Sequence, residues 1–489
     1  GAAGGGGGGP RPDPVTRCAA LLGARRFRAP PEGLLGATLG WSLDGRQGVH
    51  LWMCRASRFG RRKRVLRSHL FIPQRAEDAL EVQQVMQLQA RGGRPADPKR
   101  ELVFVMNPMS GRGRGEAIWE GVVLPMLSAS GTRFRVVATE GPGHASEVAR
   151  ALDPAATEAV VVLGGDGTVH EVLQGLMGRP DWEASSKVPL AQVPTGSGNA
   201  LAGCAGTATP VEAMLAVLKG RVAPLDVASV FQPPHRHYSF LSSYMGLLSN
   251  LDVGTDHLRW MGEARFTYGG VRELVKGSKH CARVAFVPKG AGVPAPAGPA
   301  EGGGGRGAGV PGACGALPGG GPACPHLEGV AAPGGALNFA QLGGQWRRVE
   351  SEKFHLLACV NLHKISMHGG MVTPAQDFGS GSQTLIWDVD PTNRLQAAEI
   401  FLGIDNGTHV NHAKVRTEEV AAAIVEPLRT NSTVVVDGET MRKEPFFLEV
   451  HPGLCRVILP PDDPEPGSSA WSTGTFSEVG MDLGAGIRC

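Results

Sequence analysis

The sequence lacks several common signatures, and each absence narrows the reading. No stretch offers about 18 uninterrupted apolar residues, so no transmembrane helix is predicted. The opening residues GAAGGGGGGPRP have no apolar segment of the kind a secretory signal needs. They also begin on Gly1 instead of Met, which leaves the true start open. The nine cysteines are odd in number and scattered, with no paired metal-ligand spacing. Reduced intracellular thiols are the expected state, and the location expected is cytoplasmic. Aromatic residues make up only 6%. The formal net charge of +3 gives no electrostatic argument for a nucleic-acid partner, and none is expected. Finally, none of the three glycine turns that follow strands matches G-x-x-x-x-G-K-[ST] or G-x-G-x-x-G, which excludes a P-loop and a standard dinucleotide turn there.

Glycine and proline are plentiful instead. The 71 Gly and 37 Pro among 489 residues are concentrated in a few stretches. Residues 1–36, an insert at 289–344 and a tail at 461–489 are too poor in apolar side chains to order themselves. Between these lie three patterned regions. Residues 37–95 read as strands followed by the amphipathic helix EDALEVQQVMQLQA, a small pleckstrin-homology-like module. Its basic run RFGRRKR, Arg58 to Arg64, reads as a solvated loop that can also meet anionic lipid. Residues 100–223 alternate strand and helix, which implies a parallel α/β sheet of Rossmann-like type. Residues 224–460 read as strands with few helices, and an antiparallel β-sandwich is expected.

The chemistry concentrates in the α/β region. VVLGGDGTVHEVLQGLM, Val161 to Met177, is a buried strand, a glycine turn and a helix with Val169, Val172, Leu173, Leu176 and Met177 on its apolar face. Two other glycine turns, NPMSGRGRG (Asn107 to Gly115) and PTGSGNALA (Pro194 to Ala202), also follow strands. Backbone N–H groups in such turns, together with helix N-termini, bind anions. Three of them at the carboxyl edge of one sheet point to a polyphosphate. Asp166 is the odd member, because a carboxylate beside phosphates is repulsive unless it has work. It can hold a metal, or accept the proton of an attacking hydroxyl.

The order N-P-x-x-G, G-D-G with H-E four residues after the Asp, and P-x-G-S-G-N-A-L-A resembles the diacylglycerol-kinase-type lipid kinases. NAD kinases and phosphofructokinases share the G-G-D-G element. NALA (Asn199 to Ala202), GLMGRPDWE (Gly175 to Glu183), GEARFTYG (Gly262 to Gly269), VDGE (Val436 to Glu439) and HPG (His451 to Gly453) are similar to sphingosine (long-chain base) kinases. The likeness runs from about Leu102 to Leu459 and is looser in the second half.

This resemblance implies ATP-dependent phosphorylation of a sphingoid base, with Mg²⁺ arriving on the nucleotide and no dedicated protein cage for it. Asp166 is then the general base. Asn107, Thr139, Gly164, Gly165, Gly167, Ser197 and Gly198 line the ATP site. Arg259 and Arg265 contact phosphates, and Glu439 reaches back from the second domain. Asp252 meets the head group, whose ammonium suits a carboxylate. Leu247, Leu248, Leu251 and Phe266 line an apolar tail pocket. Two positions depart from the family: Gly164 replaces a Ser, and Asn250 stands where an acid is frequent. His170 and Glu171, on the polar side of the helix, are expected to support the site without reacting. The substrate implies transient, peripheral membrane contact. FTYGGVRELVKGSKHCARV reads as a surface helix that can also dock a calmodulin-like partner, as in some relatives. Rival readings are a diacylglycerol or ceramide kinase, an NAD kinase, and a lipid-binding pseudokinase.

Overall fold

A computed structural model describes residues 34–41, 47–56, 64–71, 78–91, 97–196, 198–255, 268–270, 272–273, 280–291, 321–327, 330, 337–365, 378–389, 394–404, 406–428 and 433–461. The expectations for residues 1–33, the basic run at 58–63 and the tail beyond 461 lie outside them.

The small N-terminal unit is an antiparallel sheet of β1 (Leu34–Trp41), β2 (Gln47–Ala56) and β3 (Arg64–Phe71), covered by helix α1 (Asp78–Ala90). Leu34, Ala37, Val49, Leu51 and Met53 face Val82, Met86 and Ala90 of the helix. Leu35 turns the other way and joins the core of the α/β region. The sheet starts at Leu34, three residues before the expected start at 37.

Strands β4 (Glu101–Met106), β5 (Phe134–Ala138), β6 (Thr157–Gly164) and β7 (Leu190–Pro194) are parallel, in the order β5-β4-β6-β7. Their near-continuous apolar runs follow from burial on both faces. Val103, Val105, Val160 and Val162 enter one core. Leu102, Phe104, Val161 and Leu163 enter the other. Helical turn follows helical turn from Gly115 to Ser130, with a wider π segment at Trp119–Val123 just before Pro125. Proline has no N–H for the regular ladder, which accounts for the irregularity there.

Helices α2 (His144–Arg150) and α3 (Asp166–Met177) pack at Gly175. A Cβ there would lie 2.3 Å from Ser146 O and 2.6 Å from the Ala149 Cβ. Gly175→Ala is therefore expected to destabilise the protein by about 1–3 kcal/mol, although alanine alone favours helix by about 1 kcal/mol. Denaturant midpoints check this. An unchanged or raised midpoint would show that the two helices have room to separate.

The second half is hydrogen-bonded to the first. Strand β8 (Arg221–Gln232) crosses the expected boundary at 223/224 and pairs antiparallel with β19 (Phe446–Leu459). Val457 of β19 pairs in parallel with Leu190 of β7. Among the described residues one mixed sheet of 16 strands results. The remaining path runs through β10 (Ser242–Gly246), β14 (Leu356–Val360), β15 (Gln383–Asp388), β16 (Val415–Pro427) and the hairpin of β17 (Val434–Val436) with β18 (Glu439–Met441). Strand β9 (His235–Ser239) pairs with β8, and β11 (His280–Pro288) with β16. Inward residues of these strands, including Val230, Met245, Val284, Leu357, Leu385, Val425, Val436 and Leu448, share one core. That requires the antiparallel part to wrap on itself.

The insert expected at 289–344 is narrower. Cys324, Leu327 and Val330 are buried with Trp346 against Phe231, Ile424 and Phe447. These few apolar side chains cover an outer face of the sheet, which the glycine-rich composition around them obscures.

Candidate active site

Parallel pairing sets Met106 beside Leu163 and Gly164 beside Pro194, so the first, second and third glycine turns leave the sheet along one edge. They also touch. Gly111, at φ +60°, comes so close to the third turn that a Cβ would sit 1.9 Å from Thr195 O. The Ser110 and Thr195 hydroxyls are 2.5 Å apart. Asn107 Nδ2 donates to Thr168 Oγ1 at 3.4 Å, joining the first turn to the second. The Asp166 N–H donates to Gly198 O at 3.3 Å, joining the second to the third. Thr139, at the end of β5, hangs beside them through its N–H to Met106 O at 2.8 Å.

Asp166 opens α3, yet it does not cap that helix. Its carboxylate reaches across to the start of the helix Ala200–Cys204. There it accepts the Ala200 N–H at 2.8 Å and the Leu201 N–H at 3.3 Å, with Gln192 Nε2 at 3.3 Å. Burial pushes its pKa up to about 7, with the charge of Asp437 adding to the rise and the three donors opposing it. A carboxylate so placed is oriented, partly accessible and suited to exchange a proton near neutral pH.

Gly164 has its own neighbour. A Cβ there would meet Thr168 Oγ1 at 3.0 Å, so the hydroxyl missing at 164 has a counterpart one helical turn on. Glu439 arrives from the second half. It begins β18, directly after the turn Asp437-Gly438, and a Cβ on Gly167 would lie 4.0 Å from its Oε1. His144 Nδ1 accepts the Glu140 N–H at 3.0 Å, and Glu171 Oε2 accepts the Gly143 N–H at 3.0 Å. Ser197, Arg259, Arg265 and Phe266 lie outside the described residues.

Comparison with known proteins agrees with this arrangement. Residues 101–230 match the family described as the diacylglycerol kinase catalytic domain. Human sphingosine kinase 1 is 28% identical over 383 residues, covering 76% of this chain and 93% of that one. Human sphingosine kinase 2 is 36% identical over 205 residues, 40% of this chain and 31% of its own. Sphingoid long chain base kinase 4 of Schizosaccharomyces pombe (strain 972 / ATCC 24843) is 36% identical over 172 residues, 35% of this chain and 37% of its own. The chain thus carries a diacylglycerol kinase catalytic domain at residues 101–230 and is similar to sphingosine and sphingoid long-chain base kinases. A crystal structure described as that of "a putative diacylglycerol kinase from Bacillus anthracis str. Sterne" shares the fold with a TM-score of 0.52 at 16% identity, over 75% of this chain and 98% of that one.

The residues expected on the acceptor side fall elsewhere. Leu247, Leu248 and Leu251 lie on the helix Leu247–Gly254 and are buried against Leu356, Ala358, Ile386, Ile400 and Ile404. Asp252 is on the same helix. Asn250 donates to the buried Glu273 at 3.0 Å, which places an acid behind the position where the family frequently has one. The segment from Phe266 to Val284 is not one surface helix, because His280 onward is the buried strand β11. Among the described residues no three His, Cys, Asp or Glu side chains group as a cation site. Asn199 Oδ1, buried in the third turn without a hydrogen-bond partner, and Asp166 are oxygen donors there that fit a cation carried by phosphates.

Other contributors carry little signal in the sequence. Gln192 precedes the third turn and Thr195 lies within it, and only that position hints at a role. Asp437 reads as a turn residue within VDGE, and its carboxylate proves to be a hub. The Gly453 of HPG, at φ +52°, donates its N–H to Asp226 Oδ1 at 2.6 Å, a fold contact. Among the described residues no helix is long and apolar enough to cross a membrane.

Proposed function

We infer that this chain is an ATP-dependent sphingoid-base kinase, which transfers the γ-phosphoryl group of ATP to the primary hydroxyl of a long-chain base. One observation carries the reading: three glycine turns joined to one another, with the Asp166 carboxylate held at their meeting point. Asn107, Gly164, Gly165, Gly167, Ser197 and Gly198, with Thr139 alongside, line the nucleotide site, where free backbone N–H groups of the turns meet phosphate. Asn199 Oδ1 and Asp166 would help hold a Mg²⁺ brought by the nucleotide, which would supply charge neutralisation while the phosphoryl group leaves ADP for the lipid oxygen. Asp166 accepts the proton of the lipid hydroxyl as its oxygen bonds to phosphorus. Glu439 closes the nucleotide site from the hairpin, and Arg259 and Arg265 meet phosphates.

On this reading residues 100–223 are the nucleotide domain, and the wrapped antiparallel part of 224–460 is a sandwich that holds the lipid. The apolar cluster around Leu247, Leu248 and Leu251 takes the tail, with Phe266 added, and Asp252 pairs with the ammonium. The lipid resides in membranes, so the enzyme visits their surface transiently from the cytoplasm.

Radiolabelled ATP offered with sphingosine, phytosphingosine, ceramide, diacylglycerol and NAD tests the assignment. Label is expected on the two amines. Transfer to ceramide, diacylglycerol or NAD in preference would replace the substrate class, and no transfer at all would leave a lipid-binding protein. Asp252→Asn is expected to raise KM for sphingosine about tenfold or more and KM for ATP less than twofold, since a desolvated ion pair is lost. A similar rise in both would remove the head-group role.

A further inference from the structure

We propose that Asp437 and His170 form a latch that sets the position of Glu439 over the nucleotide, so that both are positioning residues for phosphoryl transfer. The proposal rests on the kinase reading and adds a part to it.

Asp437 is unusual in backbone and environment. It has φ +50°, the one positive φ of a non-glycine residue among those described. Its side chain is fully buried. A buried carboxylate is tolerated only when donors surround it. Its Oδ1 accepts Ser239 Oγ at 2.7 Å, Leu241 N–H at 3.0 Å and Ser242 N–H at 2.9 Å. Oδ2 accepts Phe240 N–H at 2.9 Å and His170 Nδ1 at 3.1 Å. Because a carboxylate only accepts, Nδ1 of His170 carries the proton. The residue after Asp437 is Gly438, at φ +89°, and the next is Glu439. The hairpin that carries Glu439 is thus anchored at its root.

The helix α3 presents one polar stripe at the spacing i, i+4, i+8: Asp166, His170 and Gln174. Asp166 holds the glycine turns. One turn on, His170 holds the hairpin root. Another turn on, Gln174 donates to Tyr238 O at 2.6 Å and accepts the Tyr238 N–H at 3.0 Å. Gln174 therefore docks the helix on the second half at β9, away from the hairpin. Of the three stripe residues, His170 joins the helix that bears the base to the root of the segment that bears Glu439.

Calorimetric binding of a non-hydrolysable ATP analogue, with KM for ATP and for sphingosine, separates these roles. His170→Ala is expected to weaken analogue binding and raise KM for ATP about tenfold, with KM for sphingosine changed less than twofold. His170→Asn, whose amide can still donate to Oδ2, is expected to recover to within about threefold of the wild type. Gln174→Ala is expected to lower the melting temperature and leave KM for ATP in place. In the double variant with Glu439→Ala, the His170→Ala effect is expected to vanish, because both act on one contact. Should His170→Ala not fold, His170→Leu keeps the volume, removes the donor and carries the same expectation. Unchanged analogue binding in His170→Ala, identical kinetic patterns in His170→Ala and Gln174→Ala, or multiplying effects with Glu439→Ala would each overturn the latch. A wild-type chain that fails to bind the analogue would instead overturn the kinase reading itself.

Discussion

Asp166→Asn is expected to lower turnover by about 10²–10⁴-fold while the ATP analogue still binds, the range for loss of a general base. The phosphate-binding N–H groups belong to the backbone and survive the substitution. Initial rates and calorimetry on the same preparation check it, and substantial residual turnover would remove the base assignment. The wild type should show the matching pH dependence. With the carboxyl titrating at about 7, kcat/KM for the lipid rises about tenfold per pH unit below that point and levels above it.

The same substitution should alter stability with a definite sign. Folding raises this carboxyl from its ordinary value of 3.8 to about 7, mainly through burial. The folded state therefore favours the protonated acid. No cost arises below about pH 4, and stability falls as pH climbs toward 7, where the charge must be held in the fold. The full difference corresponds to roughly 4 kcal/mol, and partial exposure of the side chain reduces it. Asp166→Asn should thus melt progressively higher than the wild type from pH 5 to pH 8. A gain that shrinks with pH would contradict the burial argument.

Gly111→Ala is expected to raise KM for ATP more than about tenfold with little effect on KM for the lipid. At φ +60° an alanine costs roughly 1–2 kcal/mol. Steric overlap costs more, since its Cβ would fall 1.9 Å from Thr195 O and 2.6 Å from Thr195 C. Those are backbone atoms, so no rotamer relieves the overlap and the first and third turns must part. Kinetics together with analogue binding measure the result. Normal ATP affinity would mean that the two turns do not act jointly on the nucleotide.

Much of the nucleotide side was legible in the chain. The runs LVFVM and AVVVL mark strands buried on both faces, and the glycine turns after them mark the carboxyl edge. Parallel pairing then leaves those turns little choice but to converge. The insert was harder to read, because Cys324, Leu327 and Val330 are sparse within glycine and proline and only a neighbouring sheet face gives them something to cover. Likewise, nothing in the spacing of Asn250 and Asp252 shows that a buried Glu273 stands behind the first of them.

Local pattern alone determined the strands and helices of the nucleotide side, and that a carboxylate sits in a glycine turn, because side-chain periodicity and φ restrictions act over a few residues. Pairing across the chain was decided by the tertiary structure. Asp437 meets His170 from 267 positions away, and the last strand closes onto the start of β7. A strand's period states which face is apolar but not which strand lies next to it, and a buried carboxylate finds its donors only once the surrounding backbone has folded around it.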